Sequence, residues 1–210
     1  MVLSKLVAQK LLEIKAIKLS PQSPFTWASG WKSPIYCDNR LTLSYPEIRK
    51  IIRNGLTEIA GQYRPFESVV GVATAGIAHG LMLAESLDMP FAYVRSKPKG
   101  HGRQNLIEGH VQEGTKAVVV EDLISTGGSL IRAVEALRDS GVEVVGALAI
   151  FTYDFDISRS NLKQAGVPFS TLSTYNDLLE EAVNLSYIAE SELDTLKEWR
   201  KSPDKWQPIS

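Results

Sequence analysis

Residues 118–129 read Val-Val-Val-Glu-Asp-Leu-Ile-Ser-Thr-Gly-Gly-Ser, and no other stretch restricts the fold as tightly. The apolar run that opens it predicts a strand over 117–121, buried on both faces as strands of parallel sheets are. Two glycines then allow a sharp turn, and apolar spacing predicts a helix over 127–140. The same strand-then-helix alternation recurs around it. Strands are expected over 69–73, 91–94, 142–151 and 169–173, and a helix runs from about 74 to Leu87. Strands that alternate with helices imply a parallel α/β sheet with right-handed crossovers.

The chemistry of the segment follows from its order. Ligands of open α/β sheets bind beyond the carboxyl ends of the strands, where this turn falls. The helix N-terminus offers unpaired N–H groups to an anion, and Ser125, Thr126 and Ser129 add hydroxyls. Neither the Gly-x-x-x-x-Gly-Lys nor the Gly-x-Gly-x-x-Gly spacing is present. Instead Glu121 and Asp122 stand directly before the turn. Carboxylates there would repel a bare polyphosphate, yet they suit vicinal hydroxyls or a sugar that develops positive charge. The segment therefore reads as a ribose 5-phosphate site, with phosphate in the turn and sugar hydroxyls on the acids. An ordinary strand-helix turn with a solvated acidic pair is the plainer reading, and all twelve residues in this order weigh against it.

The rest of the chain frames this core. Residues 2–18 predict an amphipathic helix, and 20–43, rich in Pro, Ser and aromatics, an irregular hood with short strands. Ser44 and Glu47 form a capping-box pattern ahead of a helix with Ile48, Ile51, Ile52, Leu56 and Ile59 on one face. Residues 176–201 read as helices flanking the hood, and the polar tail 202–210 is expected to fray. The 210 residues thus form one domain, with a core over about 44–175 and a hood over about 1–43 plus 176–201.

Charge narrows the partners. There are 23 Lys+Arg against 24 Asp+Glu, so a global basic field for nucleic acid is absent. The distribution is uneven: Arg95, Lys97, Lys99 and Arg103 occupy 95–103 without an acid, leaving −5 elsewhere. Glycines at 100 and 102 make this loop suitable for closing over a diphosphate. One cysteine, Cys37, excludes a disulfide framework within the chain and points to the reducing cytoplasm. His79, His101 and His110 lack zinc spacing. No apolar stretch is long enough to cross a bilayer, and the N-terminal lysines interrupt any signal-peptide core. Cys37 reads as a structural thiol and His79 as a packing residue. Trp27 and Trp31 read as hood core, and Trp199 as helix packing.

The segment 118–129 is similar to the phosphoribosyl-diphosphate (PRPP) binding motif of the type I phosphoribosyltransferases. That pattern is a hydrophobic run, two acids, two further residues, then Ser/Thr-Thr-Gly-Gly-Ser/Thr. Together with the hood residues 23–40 and the loop 95–102, the chain resembles the orotate phosphoribosyltransferases from its first helix to about Trp199. The resemblance implies the type I phosphoribosyltransferase fold and transfer of the phosphoribosyl group of PRPP to orotate. The products are orotidine 5′-monophosphate and diphosphate, in pyrimidine biosynthesis.

It further implies PRPP contacts from Arg95, Lys99, His101 and residues 121–129, including Leu123, Ile124, Gly127 and Gly128. Lys99, His101 and Asp122 carry the catalytic roles. Orotate falls to Ser125, Lys32, Tyr36 and Arg40, and the loop 73–77 lies beside diphosphate. Mg²⁺ is implied as cofactor, held mainly by PRPP itself without a protein ligand set. A homodimer is implied in which the loop reaches the partner's site, with neither nucleic acid nor membrane as partner.

The chain departs from many relatives in lacking cations at Ala28, Thr74-Ala75 and Ser96, and an Arg near 152–156. Two rivals remain: a phosphoribosyltransferase for a purine or uracil, and a PRPP-sensing regulator on the same fold.

Overall fold

A computed structural model describes residues 2–27, 29–97 and 106–208. Its centre is a six-stranded sheet. In chain order its strands are β5 (Ser68–Val72), β6 (Phe91–Val94), β7 (Ile107–Glu108), β8 (Lys116–Ile124), β9 (Glu143–Thr152) and β10 (Phe169–Thr174). They lie in the order β10-β9-β8-β5-β6-β7, parallel throughout except for the short antiparallel edge β7.

The apolar runs are continuous because successive side chains feed two separate cores. Val118, Val120, Leu148 and Ile150 face one core together with Leu11, Leu56, Leu83, Leu178 and Trp199. Those partners come from α1 (Leu3–Glu13), α2 (Pro46–Ala60), α3 (Ala75–Leu87), α6 (Tyr175–Asn184) and α7 (Leu193–Lys201). Ala117, Val119, Ala147 and Ala149 face the other, against Leu130, Val134 and Leu137 of α4 (Gly128–Asp139) and Leu162 of α5 (Asp156–Gln164).

The hood is built from short ladders. β1 (Ile17–Leu19) pairs antiparallel with β4 (Ile35–Cys37), and β2 (Phe25–Thr26) with β3 (Lys32–Ser33). α6 packs against α1, tied by Lys5–Glu180 at 2.8 Å.

Several local expectations are corrected. The first helix ends at Glu13 rather than near 18, because Ile17–Leu19 are drawn into the hood ladder. The Ser44–Glu47 capping box does not form: Asn39–Ser44 wind as a 3₁₀ turn, and Tyr45 is the N-cap with Pro46 at the first helical position. Proline favours that site because its fixed φ fits and its missing N–H would be unpaired anyway. A capping box does form at Thr174, whose hydroxyl accepts from the Asp177 N–H while Asp177 accepts from the Thr174 N–H. The tail does not fray throughout 202–208: the Trp206 N–H donates to the Ser202 carbonyl and its ring is buried in the first core. β7 and α5 lay outside the sequence reading.

Candidate active site

Strand β8 carries the acidic pair three residues deeper than expected, since it continues to Ile124 instead of ending at Glu121. Glu121 is only 6% exposed. Its Oε1 accepts from the Asp122 N–H at 3.0 Å and its Oε2 from Ser129 Oγ at 3.0 Å. Burial, then the neighbouring Asp122 carboxylate, raise the Glu121 pKa to about 8. Burial likewise raises that of Asp122. Two acids are thus held out of water with few donors around them, which favours a ligand that brings hydroxyls or positive charge.

The turn after β8 is shaped for an anion. Gly127 sits at φ +84° as the N-cap of α4, a conformation that favours glycine. It supplies no side-chain cap, and the first turn of α4 holds no acid. The leading N–H groups are therefore left for a ligand. The Asn161 amide donates to the Thr126 carbonyl at 3.2 Å and anchors the turn to α5. A methyl group added at Gly128 would lie 3.4 Å from Arg132 Nη1, which places that guanidinium over the turn.

Arg132 was missed in the sequence. It sits one helical turn beyond Gly128, and side chains at i+4 lean back toward the helix N-terminus, so its spacing carried the signal. Ser129, expected as a phosphate donor, spends its hydroxyl on Glu121.

Two adjoining cavities open here. One, of about 340 Å³, is lined by Asp38, Arg40, Ala73, Thr74, Ala75, Glu121, Asp122 and Ser129. The other, of about 310 Å³, is lined by Thr26, Trp27, Tyr36, Ser125 and Tyr153. Cys37 and Leu123 border both. The first brings the loop 73–75 to the acidic pair.

α3 can start that close because Gly76 has no side chain: a Cβ there would lie 2.4 Å from the Val120 carbonyl oxygen. Asn39, fully buried, ties the hood to the pair by donating from Nδ2 to the Asp122 carbonyl at 2.9 Å. The Cys37 thiol donates to Asn39 Oδ1 at 3.4 Å, and burial pushes its pKa up, which fits a structural thiol rather than a nucleophile.

The remaining expected site residues divide. Tyr36 lines the aromatic cavity and Ser125 sits at its mouth toward the turn. Lys32 lies at its rim, donating to Thr26 Oγ1 at 2.8 Å. Arg40 borders the acidic cavity instead and is paired with Asp38 at 2.6 Å. Arg95 caps the end of β6, paired with Glu108 at 3.2 Å. Lys99, His101 and Ala28 lie outside the described residues. Trp27, read as hood core, also lines a cavity; its indole donates to the Ile35 carbonyl at 3.0 Å and its ring stacks on Tyr153.

Similarity to known proteins agrees with this geometry. Residues 43–167 match the family described as phosphoribosyl transferase domain. The orotate phosphoribosyltransferase of Cytophaga hutchinsonii is 55% identical over 205 residues, covering 97% of this chain and 98% of that one. That of Porphyromonas gingivalis is 51% identical over the same shares. The crystal structure of orotate phosphoribosyltransferase from Aeropyrum pernix superposes with a TM-score of 0.76 at 31% identity, covering 87% of this chain and 99% of that one. The strand order, the acidic pair before the glycine turn and this likeness over nearly the whole length agree: the chain belongs to the orotate phosphoribosyltransferases of the phosphoribosyl transferase family.

Proposed function

We propose that the protein transfers the 5-phosphoribosyl group of PRPP to orotate, giving orotidine 5′-monophosphate and diphosphate for pyrimidine biosynthesis. The observation that carries this is the pair of adjoining cavities, one acidic beside an uncapped helix turn and one aromatic, meeting at Cys37 and Leu123. Phosphate would lie in the turn 125–129 under Arg132, and the ribose hydroxyls against Glu121 and Asp122. The flat base would lie between Trp27, Tyr36 and Tyr153.

Orotate is already an anion, so its ring nitrogen needs no strong protein base to attack the anomeric carbon. As diphosphate departs, the sugar gains positive charge, and the acidic pair Glu121 and Asp122 is positioned to stabilise it. Lys99 and His101 would meet the leaving diphosphate, with His101 able to donate a proton. Most of the rate would come from positioning and preorganised charge.

Carboxylate oxygens of Asp38, Glu121 and Asp122 border the acidic cavity and suit a hard cation. Among the described residues no cluster of three metal-ligating side chains is present. Mg²⁺ would be carried mainly on PRPP, where it offsets the charge of the diphosphate.

No helix among the described residues is long and apolar enough to cross a membrane, and a cytoplasmic reaction fits the single thiol. The exposed apolar side chains of Leu41, Tyr45 and Leu81 suit a homodimer.

The test is the loss of orotate ultraviolet absorbance on adding PRPP and magnesium, repeated with uracil and purine bases. Turnover with orotate alone is expected. Turnover with another base only, or PRPP binding without turnover of any base, would overturn the assignment.

A further inference from the structure

None of the seven residues lining the aromatic cavity carries a charge: Thr26, Trp27, Tyr36, Cys37, Leu123, Ser125 and Tyr153. A base rich in oxygen acceptors would have to be read there by neutral donors. Thr26 Oγ1 already accepts from Lys32. Tyr153 stands apart. Its ring is enclosed on Trp27 and Phe155, both stacked at 5.3 Å, and edge-on to Trp199 at 5.5 Å. The residue is 2% exposed, yet its hydroxyl makes no hydrogen bond among the described residues.

Buried phenols ordinarily find a partner. Tyr175, in the same cluster, donates to the Leu196 carbonyl at 3.1 Å. Trp199 Nε1 and both His79 ring nitrogens are also without partners, but those atoms are sealed off and neither residue borders this cavity. The Tyr153 hydroxyl is the unpaired donor in this group whose residue forms a cavity wall. Arg159, on the helix that follows, is occupied by two bonds to Asp154, at 2.5 and 2.6 Å.

We propose that Tyr153 is a specificity-determining residue, whose hydroxyl donates a hydrogen bond to an oxygen of the pyrimidine base. Its burial pushes the phenol pKa well above the ordinary value, so the group stays a donor throughout the neutral range. The aromatic enclosure fixes the ring, so the donor is already aimed before the base arrives. Such a donor penalises a base that presents an apolar edge at that point, because the hydroxyl would then stay buried and unpaired. This inference rests on the base occupying the aromatic cavity.

The experiment compares steady-state kinetics of the full chain with those of Tyr153→Phe and Thr26→Trp. Tyr153→Phe keeps the ring packing, so the melting temperature should hold. kcat/KM for orotate should fall about tenfold, as for a lost hydrogen bond to a charged acceptor. KM for PRPP should stay within about twofold on the same argument. Unchanged orotate kinetics in Tyr153→Phe, with Thr26→Trp blocking orotate use, would overturn the hydroxyl assignment alone. Normal orotate use in Thr26→Trp would overturn the placement of the base in this cavity. An equal loss toward both substrates in Tyr153→Phe would mark a merely structural role and also overturn the proposal.

Discussion

Glu121 is held by two hydrogen bonds in a place where its charge is poorly solvated. An acid whose folded pKa lies above its unfolded value binds more protons folded than unfolded. Stability of the unliganded protein must then fall as pH rises from the ordinary carboxylate range through about 8. The slope from one such group is at most about 1.4 kcal/mol per pH unit. Glu121→Gln should flatten this dependence, read as melting temperature against pH from 5 to 9. A variant curve parallel to the parent would remove Glu121 as its source.

Arg132 makes a second residue-scale prediction. Its guanidinium lies over the glycine turn, so Arg132→Ala should raise KM for PRPP by about tenfold or more, as for a lost charge-assisted bond. KM for orotate should change little, and equal effects on both substrates would place the arginine elsewhere in the reaction. The acids and the turn were legible as consecutive residues of one motif. Arg132 was not, because a lone arginine inside an amphipathic helix looks like any solvated one until the helix phase is fixed against the turn.

At the scale of elements, the site depends on how closely α3 approaches β8. That contact is backbone to backbone at Gly76, where the missing side chain lets the 73–75 loop reach the acidic pair. Gly76→Ala must push the helix and strand apart, and overpacking of this kind costs about 1–3 kcal/mol. Urea denaturation should show that loss together with a higher KM for PRPP. A fully stable variant would mean that α3 shifts freely.

The core strands were legible because burial on both faces writes an unbroken apolar run, as in Ala117–Val120 and Ala147–Phe151. The hood was legible only as irregular. Ile17–Leu19 have the spacing to continue α1, and only their pairing with Ile35–Cys37, some twenty residues away, draws them into a strand. The Ser44 pattern failed for a related reason: it competed with Pro46 two residues on, and the proline fixed the start. Helix α5 was missed because its nine residues bury only Ser158 and Leu162, too few for a periodic stripe.

For the whole molecule, near-neutral net charge conceals a division of labour. The acidic pair lies on β8, while four cations and no acid occupy 95–103 between β6 and β7. If that loop serves the partner subunit, each active site draws on two chains, and the defects of two variants can be separated by mixing. Lys99→Ala should disable the loop that a subunit lends, and Asp122→Asn the sugar site that it keeps. A hybrid dimer then holds one site with both defects and one with neither. Random exchange of equal amounts puts half of the subunits into hybrids, so activity should recover to about one quarter of the parent value for a two-fold dimer. No recovery after proven subunit exchange would mean that each loop closes over its own chain. Sedimentation as a monomer under assay conditions would rule out sharing altogether.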